Sequence, residues 1–434
     1  MNSIPYGRQN ITQEDIDAVV TVLKGDFLTQ GPAIAQFEDA FAEYIGCKYA
    51  VAVSNGTAAL HLAAMALNVQ TGDKVITPPI TFAASANCIR YCGGEVVFAD
   101  IDPLTYCLDI QKVRALLESH PKGTFKGIIP VDFAGFAVNL EEFRKLADEF
   151  GLWMIEDACH APGGYFVDSK GKKQGCGNGQ FAEMSVFSFH PVKHIAAGEG
   201  GMITTNDEKL YKKLLSLRTH GITKDAGIFQ NTLETAFGTQ PIINDARSVN
   251  NPMTREAQND SRSANYAKQM TGEAQNDSRR LNDFPGWYYE MQELGYNYRL
   301  TDFQAALGHS QLKRADEGLK RRIEIAQTYN EAFSGHPCVK GQSGVVNGHA
   351  YHLYVLEVEN RMGLYQHLRA HNIFAQIHYV PVHLMPYYKQ YGWKEGDLSQ
   401  AESYYSRCIS LPMYPTLTTE EQSFVIDKIN EFYK

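Results

Sequence analysis

Nowhere in this 434-residue chain do 18 consecutive apolar residues occur, so no segment is suited to cross a membrane as a helix. The opening Met1-Asn2-Ser3-Ile4-Pro5-Tyr6 lacks a charged start followed by an apolar run, and a soluble, cytoplasmic protein is expected. Positive charge is scarce too. The formal net charge is -9 and no Lys/Arg cluster forms a stripe, which argues against nucleic acid as a partner but leaves room for a local basic pocket around a nucleotide diphosphate. Eight cysteines, at 47, 88, 92, 107, 159, 176, 338 and 408, include no Cys-x-x-Cys pair, and no histidine spacing accompanies them to suggest zinc, so no metal is expected. Cys88 and Cys92, one helical turn apart, read as buried thiols; reduced cysteines fit the cytoplasm.

What is present is ordinary globular material, 44% hydrophobic and 21% charged, in a chain longer than one typical domain. Thr12 is placed to cap a helix carrying Ile16, Val19, Val20 and Leu23 at helical spacing, with Gly25 to close it. Short apolar runs then alternate with helical patterns. Strands are expected at 49–53, 74–77, 95–98, 127–131, 153–156, 184–188 and 202–204, with helices such as 57–67 and 140–150 between them. That alternation implies an α/β fold, a mostly parallel sheet flanked by helices, whose ligands bind where strands end and helices begin.

Residues 230–284 interrupt the pattern. They are rich in Asn, Asp, Ser, Arg and Gln and carry the heptapeptide Glu-Ala-Gln-Asn-Asp-Ser-Arg twice, at 256–262 and 273–279, too few copies for a solenoid. A surface excursion, partly disordered, is expected there, with a lid or partner-binding arm as the alternative. Beyond it, 300–333 reads as one long helical stretch, followed by strand-like 351–358 and helix-like 363–370. The division is therefore a large α/β domain at 1–229, the polar insertion at 230–284, and an interdomain helix with a smaller C-terminal α+β domain at 285–434.

Four ordered segments carry a resemblance. They are Ser54-Asn55-Gly56-Thr57-Ala58, Glu156-Asp157-Ala158-Cys159-His160, Ser188 to Gly201 around Lys193, and Gly295-Tyr296-Asn297-Tyr298-Arg299. Together, from about residue 4 to the C-terminus, they make the chain similar to the DegT/StrS family of sugar-nucleotide aminotransferases; only the insertion departs from it. The resemblance implies a fold type I pyridoxal-phosphate-dependent transferase and a homodimer with shared active sites.

Pyridoxal phosphate asks a protein for an amine, an anion for its ring nitrogen, a phosphate cradle and a surface against the ring. Lys193 is the expected amine, since partial burial favours the free base that a nucleophile and proton carrier needs. Asp157, ending a buried strand, suits the ring nitrogen, or alternatively caps the next helix. Gly56 and Thr57 open a helix whose amides can hold an anion. The resemblance adds Ser188 as a second phosphate ligand, His160 at the phenolic oxygen, Phe82 stacked on the ring and Asn297 from the neighbouring subunit. Phe82 also reads as a core residue. For the substrate it points to Tyr6, Arg299, His378 and Tyr379, arginine suiting a diphosphate.

Within the family, segments 4–9, 286–292 and 378–383 look most like the pseudaminic-acid pathway aminotransferases of cell-surface glycan synthesis. The implied reaction moves an amino group from glutamate to a UDP-linked 4-keto-6-deoxy N-acetyl amino sugar. A dTDP- or GDP-keto sugar is the alternative substrate. A homologue without catalysis, acting as a regulatory or scaffold protein, is the reading from another class, and retention of Lys193 argues against it.

Overall fold

A computed structural model of the chain describes residues 3–237, 284–341 and 346–434. These fall into two compact units, Met1–Tyr211 with Leu300–Lys434, and Lys212–Arg299.

In the first unit, runs of Val, Ile, Ala and Met that leave no polar face become strands buried on both sides. They are Tyr49–Val53 (β1), Lys74–Thr77 (β2), Glu95–Phe98 (β3), Phe125–Ile128 (β4), Trp153–Asp157 (β5), Met184–Ser188 (β6) and Gly201–Thr205 (β7). Their order in the sheet is β1-β7-β6-β5-β4-β2-β3. Neighbours are parallel except at β7, which runs antiparallel to both β1 and β6. The carboxyl ends of β1, β6 and β5 therefore meet the start of β7 on one edge, where a mostly parallel sheet binds ligands. The strand expected at 127–131 begins and ends earlier, because Pro130 has no N–H for the ladder; Val131 keeps only an isolated bridge to Asp157.

Helix Gln13–Leu23 (α1) starts at Thr12 in a capping box with Asp15. Its apolar residues Ile16, Val20 and Leu23 are exposed, along with nearby Ile11, Phe27 and Leu28, whereas Asp15 is fully buried. Helix Pro32–Ile45 (α2) contributes Phe37 and Phe41 to a core shared with Phe187, Phe189 and Leu300. Helix Gly56–Ala66 (α3) follows β1 directly, capped by Asn55, and Ala84–Tyr91 (α4) follows β2.

The single helix expected at 300–333 is two, Asp302–Leu312 (α5) and Ala315–Phe333 (α6). The break lies where Gln311 and Arg314 both turn onto buried Asp15, at 2.6 Å each. An ion pair made across some 300 residues sets that break, and helix periodicity carries no trace of it. Further on, Val339–Gly341 (β8), Tyr354–Val358 (β9) and Cys408–Leu411 (β10) form an antiparallel sheet in that order. Helices Arg361–Ala370 (α7) and Thr419–Phe432 (α8) share its core through Leu364, Leu368, Val425 and Ile429. Ile4 joins the same core and pairs in parallel with Ile373, which fixes the N-terminal segment leading to Tyr6.

In the second unit, Ile222–Thr223 pairs antiparallel with Glu290–Met291. Both heptapeptides of the insertion, and with them the surface-excursion and lid readings of 238–283, lie outside the described residues. Among the described residues no helix is long and apolar enough to cross a membrane.

Candidate functional site

Each strand on the ligand-binding edge delivers one side chain or backbone group. β1 ends into the N-terminus of α3, where the Asn55 side chain takes the N–H of Ala58 at 2.8 Å. Gly56 and Thr57 occupy the first helical turn, whose amides have no partner in the helix ladder. A Cβ on Gly56 would come 2.9 Å from the Cβ and 3.3 Å from the Oγ of Ser188, so glycine keeps open the space between α3 and the end of β6. Gly201, paired with both Val53 and Ser188, is equally close; a Cβ there would meet the Asn55 carbonyl oxygen at 2.5 Å. Backbone amides, the Ser188 hydroxyl and an open space form a cradle suited to a phosphate.

Asp157 ends β5 with its carboxylate buried. Its hydrogen-bond partners are neutral, the Ser85 hydroxyl at 2.6 Å and the Cys159 N–H at 3.2 Å. A buried carboxylate without a cation is costly, and a protonated ring nitrogen is a chemically fitting partner. Ser85, on α4, accepts or donates a 2.7 Å bond with Thr81 and was not singled out from the sequence; the one-turn spacing of Thr81 and Ser85 is the only trace of it there.

Lys193 lies in the segment after β6, half-buried. Burial lowers its pKa to about 8; Cys159 and Asp157 push it back up, and the fully buried guanidinium of Arg322 adds to the lowering. Arg322 donates to the carbonyls of Tyr351, His352 and Met413 at 3.0–3.2 Å, and burial lowers its own pKa to about 10. Lys193 also borders a pocket of about 170 Å³ that includes Arg8, Gln9, Asn10, Arg314 and Glu317. Arg8 and Lys193 bring positive charge to this pocket, Glu317 negative charge, and Arg314 is neutralised by Asp15.

His160 accepts the Ala134 N–H on Nδ1 at 3.2 Å, which places its proton on Nε2, 3.4 Å from the Tyr379 hydroxyl. Burial, then the charge of Lys193, holds its pKa well below the usual histidine value, so the ring is neutral. The ring of His352 lies tilted against it, 4.3 Å away, and was likewise not anticipated. His378 accepts or donates a 2.9 Å bond with Ser410, sits 5.1 Å from the Tyr6 ring, and is lowered to about 3 by burial and Lys193. Phe82 is 62% exposed, its ring 6.3 Å from that of Tyr379. It is not a core residue but an aromatic left at the surface beside Tyr379. The first unit thus brings together Lys193, Asp157, His160, Ser188, Gly56, Thr57, Phe82, Tyr6, His378 and Tyr379. Asn297 and Arg299 belong to the second unit, where Asn297 bridges Thr219.

Behind Asp157, Asp132 and Glu156 are both buried, with Cys176 beside them. Ser185 and Gly177 donate to the Glu156 carboxylate, but Asp132 Oδ2 has no donor. Burial and the neighbouring Glu156 raise the Asp132 pKa well above the carboxylate range, so it carries a proton it can donate to Glu156. The folded state therefore binds a proton the unfolded chain has already lost, and stability falls as pH rises from the ordinary carboxylate value through the raised one. Asp132→Asn keeps a donor and removes the titration. We expect the fall in Tm of the wild type as pH rises above the ordinary carboxylate range to be flattened in this variant. An unchanged slope in thermal scans would refute the shared proton.

The family model described as DegT/DnrJ/EryC1/StrS aminotransferase matches residues 9–248 and 257–430. The UDP-4-amino-4,6-dideoxy-N-acetyl-beta-L-altrosamine transaminase of Campylobacter jejuni is 33% identical over 435 residues, covering 98% of this chain and 96% of its own. Among solved structures, Helicobacter pylori PseC, an aminotransferase involved in the biosynthesis of pseudoaminic acid, matches with a TM-score of 0.78 at 27% identity, over 100% of this chain and 99% of that one. Spr1654 of Streptococcus pneumoniae, in its PLP form, matches with a TM-score of 0.77 at 25% identity, over 99% and 98%.

Proposed function

The chain belongs to the DegT/DnrJ/EryC1/StrS aminotransferase family, and from that premise we propose that it transfers an amino group from glutamate to C4 of a UDP-linked 4-keto-6-deoxy N-acetyl amino sugar. The product would be UDP-4-amino-4,6-dideoxy-N-acetyl-β-L-altrosamine, on the way to pseudaminic acid. It is a PLP-dependent aminotransferase of fold type I, and the substrate reading is supported by its likeness to the Campylobacter enzyme and to PseC. The observation that carries the catalytic reading is the meeting of a depressed amine at Lys193 with a buried carboxylate at Asp157 whose hydrogen-bond partners are all neutral.

The residues present fit pyridoxal phosphate, which when bound supplies an electron-withdrawing ring that stabilises a carbanion at the amino-bearing carbon. Lys193 would hold its aldehyde carbon, Asp157 a proton on its ring nitrogen, and Ser188 with the amides of Gly56 and Thr57 its phosphate. His160, neutral with its proton on Nε2, would donate to the phenolic oxygen, and Phe82 would cover the ring. The free Lys193 amine would take the proton from the amino-bearing carbon of glutamate and later give one to C4 of the sugar. A pKa of about 8 keeps an appreciable fraction of that amine free near neutral pH. Arg8, bordering the pocket beside Lys193, would favour a diphosphate; Tyr6, His378 and Tyr379 would contact the sugar nucleotide.

The reading includes a homodimer in which Asn297 reaches the site of the other copy. The exposed apolar face of α1, continued by Phe27 and Leu28, is the surface that a second copy would cover.

Incubation with glutamate and the UDP-keto sugar, followed by mass spectrometry, should give the amino sugar and 2-oxoglutarate. Product formed only from dTDP- or GDP-keto sugars would defeat the substrate assignment and leave the aminotransferase standing.

A further inference from the structure

Far from Lys193 in sequence, His367 in the last turn of α7 lies near His371, the residue that caps its C-terminus, and α8 brings Glu431 to them. One ligand atom from each, a ring nitrogen from either histidine and a carboxylate oxygen, lie within 4.8 Å of one another. His371 uses Nδ1 on the carbonyl of His367 at 2.9 Å, which leaves its Nε2 lone pair free. His367 Nε2 is shielded from solvent and has no hydrogen-bond partner. The ring of His367 is held between that of His371, 4.5 Å away, and Phe432, 5.4 Å away. A buried imidazole nitrogen without a partner is a cost that a ligand would offset.

We propose that His367, His371 and Glu431 form a binding site for a divalent transition-metal cation of the zinc type, joining α7 to the last turn of α8. Two imidazoles and one carboxylate are a donor set such ions take in tetrahedral sites with the fourth position left to water. At metal–ligand distances of about 2.1 Å, donors in a tetrahedral shell stand about 3.4 Å apart, so atoms within 4.8 Å of one another are close to the spacing an ion needs. The bond from His371 Nδ1 back to the His367 carbonyl holds the capping histidine beside the last turn of α7, and the packing of Leu364 and Leu368 with Val425 and Ile429 in one core holds the two helices together behind them. Lys428 bonds one oxygen of Glu431 at 2.6 Å, which positions the carboxylate and leaves its second oxygen for the ion. The site lies on the C-terminal part of the fold, outside the constellation around Lys193, and its role is to brace α8 against α7.

The test is titration of the chelator-treated, cofactor-loaded, full-length protein with ZnCl2, read by calorimetry and by thermal melting, with Co2+ as a spectroscopic probe. One equivalent should bind and raise Tm. His371→Ala and Glu431→Gln should each weaken binding by at least ~10-fold, and His367→Ala/His371→Ala should abolish it. Glu431 is exposed, so its variant keeps the fold, and without metal its Tm should match that of the wild type. The Co2+ form should show d–d bands without a thiolate charge-transfer band. Absence of saturable binding in the wild type, binding unchanged in the double variant, or a thiolate band assigning the ion to cysteine would each overturn the proposal.

Discussion

Lys193→Met should abolish amino transfer, with kcat reduced by at least ~10⁴-fold, because the same amine holds the cofactor and moves the proton. The variant should also be the more stable protein when cofactor is absent. Burial lowers the Lys193 pKa from 10.5 to about 8, so below pH 8 the fold carries an ammonium ion that the unfolded chain accommodates more easily. That burden amounts to roughly 3 kcal/mol and is relieved as pH rises from about 8 to about 10.5. Denaturant unfolding of the cofactor-free proteins should therefore show the variant ahead at pH 7 and level with the wild type above pH 10. Activity surviving in the variant, or borohydride reduction of the loaded wild type placing the cofactor on another residue, would remove the basis of the proposed mechanism.

Asp157→Asn should lower kcat by ~10²–10⁴-fold while leaving the fold intact. The amide keeps the shape of the side chain; its single oxygen can still accept from the Cys159 N–H and its NH2 faces the Ser85 hydroxyl, which can turn to accept, but it lacks the charge that would hold a proton on the ring nitrogen. In the cofactor-free protein the change in stability should be small, since relief from burying a carboxylate is offset by loss of the charge that favours the Lys193 ammonium. A large loss of Tm together with normal kcat would instead mark Asp157 as a structural cap of the segment after β5.

Much of the site was legible because its chemistry is local. Asn55-Gly56-Thr57 is a strand end running into a helix start, and such a turn exposes amides whatever surrounds it. Asp157 and Ser188 were legible as ends of apolar runs, and the sheet then set them on one edge. Ser85 and His352 were not, because nothing in their own neighbourhoods marks them. Ser85 matters only because α4 carries it to the Asp157 carboxylate, and His352 because its ring comes to lie against His160. The pattern Ile16, Val20, Leu23 was legible as a helix but not as an exposed one, since periodicity records that a face is apolar and not what covers it.

The sequence by itself determined the order of strands and helices, the capping of α1 and α3, and the placing of Asp157 at a strand end, Gly56 at a helix start and Lys193 in the segment after a strand. Each depends on residues within a turn or two of one another. Only the tertiary structure decided the break between α5 and α6, where Arg314 meets Asp15, the sharing of a proton between Asp132 and Glu156, and the meeting of His367 and His371 with Glu431. The physical reason is common to all three: the free energy of a buried charge or an orphaned nitrogen depends on its partner, and these partners stand 24 to 299 residues away along the chain, brought close only when the apolar cores close.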